Sequence, residues 1–121
     1  MERKSVLRKK SFDFGLMIIE ISRHLKESKK EYVLYRQLLR SGTAIGAMIR
    51  EAEFAQSKAD FINKLSIALK EANETEYWLE LLIGSECLAK ETHSSAVQLL
   101  NEMIKMLIAS INTVKKNAGK E

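Results

Sequence analysis

Residues 57–84 read SKADFINKLSIALKEANETEYWLELLIG, and this stretch decides the fold. Ser57 and Asp60 stand at the spacing with which a hydroxyl and a carboxylate cap the start of a helix. Phe61, Leu65, Ala68, Ala72, Leu79, Leu82 and Ile83 then line one helix face. No proline interrupts the run, and Gly84 at its end suits a helix C-cap. The sequence predicts a helix over about 58–83. Ile67, Trp78 and Leu81 lie well off its apolar stripe, which implies a second buried surface.

Working outward, the same logic gives three more helices. Ser28 and Glu31 repeat the capping spacing, so a helix is predicted from near Lys29 to about Ala55. Leu34, Leu38, Ser41, Ile45, Met48 and Ala52 form its inward stripe, and Arg36, Arg40 and Arg50 fall roughly opposite. Gly42 and Gly46 lie between these faces. Each mid-helix glycine costs about 1 kcal/mol against alanine. The pair therefore implies close approach of another backbone, inside the bundle or between subunits. The first helix is predicted to start after Ser11, with Phe14, Ile18, Ile21 and Leu25 inward. The last is predicted over about Ser95 to Lys116, with Val97, Leu100, Ile104, Leu107, Ile108 and Ile111 inward. Leu99, Met103 and Met106 make a second stripe on it, about 100° away.

The connections are short except the third, at roughly 85–94. Short loops force neighbours antiparallel. The expected fold is all-α: an up-down-up-down four-helix bundle over residues 11–116, with a basic tail at 1–10 and a loose tail at 117–121. The 121 residues suit one domain. The absence of proline and the presence of only 5 glycines leave long helices unbroken. The single cysteine, Cys87, excludes an intrachain disulfide and fits a reducing compartment. No apolar run reaches a membrane span, and no signal peptide is recognised. The expected location is the cytoplasm.

The formal charge of +4 is segregated. Residues 1–10 hold five basic and one acidic side chain, and residues 51–102 hold four basic and ten acidic. This pattern fits a basic surface for an anionic partner. It fits equally well basic and acidic elements packing on each other, within or between subunits. Arg36, Arg40 and Arg50, with Arg3, Lys4, Arg8, Lys9 and Lys10 from the tail, are the candidate phosphate contacts. Phe54 shares the arginine stripe and offers a ring for base stacking.

Catalytic and metal schemes each lack a member. Di-iron bundles need Glu-x-x-His pairs, but Ile21 and Lys90 stand three residues before His24 and His93. Zinc needs more Cys or His ligands than three scattered residues supply. A Cys87–His93 nucleophile pair has no orienting third group. Glu71, Glu74, Glu76 and Glu80 share one helix without complementary ligands and read as a solvated face or as salt-bridge partners. No phosphate-binding glycine loop is present. No cofactor, metal site or enzymatic activity is expected.

The segment QLLRSGTAIGAMIREAEFAQSKADFINKLSIALKEANETEYWLELL, residues 37–82, resembles the four-helix bundle family encoded in intervening sequences of 23S ribosomal RNA genes, also called S23-like. Accessory variability determinant proteins of diversity-generating retroelements are related to that family. The resemblance spans nearly the whole chain. It implies a bacterial cytoplasmic protein, a ring-shaped homopentamer and no established enzymatic activity. The accessory relatives bind nucleic acid and a reverse transcriptase through basic surfaces. This chain has Met48 where family members often carry Asn, and Arg50 where they carry a small residue.

The expected function is therefore a non-catalytic homo-oligomer that binds RNA, DNA or a ribonucleoprotein, with a nucleic-acid-processing protein as a further partner. The alternative is a protein-binding scaffold without nucleic-acid binding. Gly42, Gly46, Ile67, Trp78, Leu81, Leu99, Met103 and Met106 are the candidate oligomer contacts.

Overall fold

The structure, a computed structural model, describes residues 2–119, and side chains from 6 to 117. Four helices follow one another: α1 (Glu2–Glu27), α2 (Tyr32–Glu53), α3 (Lys58–Gly84) and α4 (Lys90–Gly119). No strand occurs among the described residues. Helix α1 packs on α2 and α4, and α3 packs on the same two helices, while the diagonal pairs do not meet. This is the expected all-α four-helix bundle, its successive helices adjacent and antiparallel.

The core positions advance in steps of three and four. Leu7, Ser11, Phe14, Ile18, Ile21 and Leu25 are buried on α1, and Leu65, Ala68, Ala72, Thr75, Leu79 and Leu82 on α3. Such spacing keeps one seam turned inward along helices that cross at a shallow angle. Small residues sit where helices approach closely. A Cβ built on Gly42 would lie 2.8 Å from Cγ1 and Cγ2 of Ile18, so α1 is the backbone that this glycine admits. Gly46 faces Ser11 of the same helix.

Several helix ends differ from the sequence reading. Residues 2–10 belong to α1 rather than to a tail. Leu7 is buried and carries the apolar seam past Ser11, and a Lys9–Asp13 ion pair spans the expected start. Ser11 is no N-cap: it is buried, and its hydroxyl donates to the Arg8 carbonyl. Glu31 itself caps α2, accepting from the Val33 and Leu34 amides at 3.1 Å each. A cap placed there delays the helix to Tyr32. Helix α4 begins at Lys90, not Ser95, and runs through Asn117 to Gly119; Lys120 and Glu121 lie outside the described residues. Ser57 caps α3 as expected, accepting from the Asp60 amide at 3.0 Å. Gly84 is the last helical residue rather than a left-handed cap, a conformation taken instead by Glu86 at φ 62°.

Helix α4 is also rotated from its expected setting. Met103 is fully buried and Ile108 is exposed. The inward line is Ala96, Leu100, Met103, Leu107 and Ile111. Ala96 on that line is fully buried, and the flexible Met103 side chain fills the core beside Leu100 and Leu107.

One buried polar contact ties α2 to α3. Thr75 Oγ1 lies 2.8 Å from Ser41 Oγ and 2.7 Å from the Glu71 carbonyl oxygen. One hydroxyl proton cannot serve both, so Thr75 donates to the carbonyl and accepts from Ser41. Thr75→Val leaves the Ser41 hydroxyl buried without its partner, at a cost of about 1–3 kcal/mol. Adding Ser41→Ala is expected to restore most of that loss. A double-mutant cycle by chemical denaturation measures it, and strictly additive effects would refute the coupling.

Helix α1 meets α4 through Lys10, whose ammonium lies 2.6 Å from Glu102 Oε1. Its hydrogen bond and charge hold the Glu102 carboxyl below its ordinary value of 4.5. A carboxyl depressed in the folded state stabilises the fold above its unfolded pKa. That contribution is lost as pH falls through the lower, folded value.

Candidate functional site

The arginine stripe on α2 is not continuous. In its middle, the Arg40 guanidinium sits between two carboxylates of α3. Its Nη1 lies 3.1 Å from Glu71 Oε1, and its Nη2 pairs with Glu74. Desolvation pulls the Arg40 pKa down, but the bonds from Glu74 and Glu71 outweigh it and the net shift is upward. Glu74 also accepts from the Trp78 indole N–H at 3.0 Å. Two of the four clustered glutamates are thus ion-pair partners of α2, and Arg40 is not a free phosphate contact.

The other candidate cations divide the same way. Arg8 faces Glu53 at 3.7 Å, Lys9 pairs with Asp13 at 3.0 Å, and Lys10 holds Glu102. Arg3 and Lys4 lie outside the described side chains. Arg36 and Arg50 are exposed, and no carboxylate among the described residues pairs with either. Arg36 stacks beside Tyr35, its Cζ 5.7 Å from the ring centroid. Arg50 rims a shallow hollow next to Phe54.

The proposed oligomer contacts are mostly internal. Gly42 and Gly46 face α1, and Met103 is in the core. Trp78, Leu99 and Met106 are half-buried against the core, and Ile67 is half-buried. Only Leu81 of that set is exposed. The reason is geometric. Each helix of a square bundle has two neighbours, so residues about 100° off the central stripe cover a seam rather than face water.

The main exposed apolar surface lies elsewhere. On α1, Phe12, Leu16 and Ile19 are 54%, 50% and 38% exposed. They stand one above the other at i, i+4 and i+7. Between them and α2 runs a groove floored by Gly15, Gly46, Ala47 and Thr43 and rimmed by Arg8 and Arg50. A Cβ on Gly15 would meet nothing within 4 Å. A second exposed set, Tyr77 and Leu81 on α3, sits among Glu74, Glu76 and Glu80 of the same helix. The α1 stripe was legible as a period of its own, but it lay behind the stronger core period of Phe14, Ile18 and Ile21.

No group of three or more His, Cys, Asp or Glu among the described residues is placed to hold a metal ion. Cys87 turns its thiol to the Ser85 carbonyl, and His93 Nε2 is buried without a hydrogen-bond partner. No helix among the described residues is long and apolar enough to cross a membrane.

The model of the 23S rRNA-intervening sequence protein family matches residues 3–109. The chain belongs to that family. Its matched span contains the α1–α2 groove, the Arg40 clamp and the exposed arginines. A crystal structure from Bacteroides thetaiotaomicron, a protein of unknown function from the S23 ribosomal protein family, is 53% identical to the chain. It superposes with a TM-score of 0.89, covering 91% of this chain and 98% of that one. No curated protein is matched by the chain. Neither match ties this family member to the retroelement accessory proteins.

Proposed function

We propose that this protein is a non-catalytic, cytoplasmic homo-oligomer whose assembled surface binds nucleic acid or a ribonucleoprotein. One observation carries the reading: the α1–α2 side of the bundle is both cationic and openly apolar. Residues 2–53 hold twelve basic and seven acidic side chains, and residues 58–84 hold three basic and five acidic.

Exposed apolar stripes of this kind mark contact surfaces. Helices α1 and α3 are diagonal in the bundle, so their outward faces point away from each other. One stripe is cationic at its rim and the other anionic. Two unlike, complementary faces on one chain favour head-to-tail contacts, which close into a ring when the rotation allows. The pentamer implied by the family resemblance is such a ring. Repetition around a ring multiplies each unpaired cation and so favours a long polyanion over a small one.

The test is a fluorescence-anisotropy titration of the whole protein with short single-stranded RNA across a salt series. The logarithm of the binding constant is expected to fall linearly with the logarithm of salt concentration. No measurable binding at low salt would favour the alternative, a protein-binding scaffold acting through the same apolar groove.

A further inference from the structure

We infer that the polynucleotide contact lies at the α1–α2 end of the bundle, on Lys26, Lys29, Lys30 and Arg36 with Tyr32 and Tyr35, and that it takes single strands. The inference rests on the nucleic-acid reading above and gives it a place.

Ion-pair accounting locates the site. From Arg8 to Arg50, α1, its turn and α2 present ten cations with described side chains. Arg8, Lys9, Lys10, Arg23 and Arg40 each have a carboxylate partner. The partnered charges are already neutralised locally and offer a phosphate little. Lys26, Lys29, Lys30, Arg36 and Arg50 have no carboxylate partner among the described residues. Four of these five cluster within one turn of the Glu27–Tyr32 connection.

Two of the four cations, Lys26 and Arg36, flank one ring. Lys26 Nζ lies 5.8 Å from the Tyr35 centroid and Arg36 Cζ lies 5.7 Å from it. Such contacts leave the charge available. Of the two carboxylates within residues 26–36, Glu31 is engaged with the Val33 and Leu34 amides. Glu27 is exposed and leaves the four cations in excess. Tyr32 begins α2 half in water, two residues after Lys30 in the chain.

Unpaired cations beside a free aromatic ring match the chemistry of a single strand. The cations meet phosphates, and the ring stacks on a base that a duplex would keep inside. An acidic peptide would use the charges and leave the tyrosine idle. The groove of Phe12, Leu16 and Ile19 starts on the neighbouring turns of α1 and extends toward the opposite end. Assembly and polyanion binding therefore use different residues.

The test compares anisotropy titrations with short single-stranded RNA, single-stranded DNA and duplex DNA, each over a salt series. Changing Lys26, Lys29, Lys30 and Arg36 together to glutamine is expected to weaken single-strand binding at least about ten-fold. It should also lower the salt slope by about 3, since each phosphate contact to a single strand contributes about 0.7. Tyr32→Ala is expected to weaken binding about ten-fold with the slope unchanged. Lys115→Gln with Lys116→Gln, at the opposite end, should alter neither. Helical circular dichroism checks that each variant is folded. Unchanged affinity and slope in the quadruple variant, with the parent protein still binding, would overturn this placement and leave the broader reading standing. No binding by the parent would overturn both. Tighter binding to duplex than to single strands, or equal competition by an acidic peptide, would overturn the assignment to single strands.

Discussion

Replacing Gly42 with leucine is expected to destabilise the bundle by about 3 kcal/mol or more, and alanine at the same position by about 1–2 kcal/mol. A Cβ there would lie 2.8 Å from two carbons of Ile18 and 3.2 Å from a third, its Cβ. Ile18 is fully buried and branched at Cβ, so it has no free end to swing away. Relief needs α1 and α2 to separate, and overpacking of that kind costs about 1–3 kcal/mol. Alanine recovers up to about 1 kcal/mol through helix propensity. Leucine adds three more carbons to the clash. Gly46→Ala supplies the opposite sign. Its Cβ would meet Ser11 at 3.4 Å or more, near an ordinary contact. Propensity then dominates, and a gain of up to about 1 kcal/mol is expected. Chemical denaturation of both variants checks the pair, and a Gly42→Ala protein as stable as the parent would refute the close approach.

Leu16→Glu combined with Ile19→Glu is expected to convert the assembled protein to a folded monomer. Both side chains are substantially exposed in the single chain, so the bundle itself loses little. In an assembly each buries its apolar surface, worth about 1.5–3 kcal/mol when complete. Glutamate removes that gain and adds the cost of dehydrating a charge without a partner. Every subunit interface in a ring carries the change, so the losses repeat around the closed structure. Arg8 and Arg50 rim the groove and offer some compensation, which is why two substitutions are needed rather than one. Sedimentation velocity reads the outcome. An unchanged sedimentation coefficient would move the contact off α1.

The fold was legible because core periodicity survives small errors of phase. Phe14, Ile18, Ile21 and Leu25 are buried where the spacing placed them, and Ser57 caps α3. Helix ends were less legible. Ser11 has the chemistry of a cap, but Leu7 about one turn earlier continues the seam, and burial outweighs a single cap. On α4 the wheel put Ile108 inward and Met103 outward. The choice between two apolar stripes depends on which one α1 and α3 leave room for, and that lies outside the sequence of α4 itself. Charge was the hardest to read. Arg36, Arg40 and Arg50 are equivalent on a wheel of α2. Only the register of α3 distinguishes them, by bringing Glu71 and Glu74 to Arg40 and no acid to the others. The glutamates of α3 are in part the intramolecular partners of the basic helices, and four of the five cations left over on α1, its turn and α2 sit at one end.

The molar mass in solution tests self-assembly directly. Light scattering on the whole protein at micromolar concentration is expected to give a multiple of the 13.8 kDa chain, and five-fold if the ring is the pentamer. A mass of one chain, unchanged across a range of concentrations and salt, would contradict it.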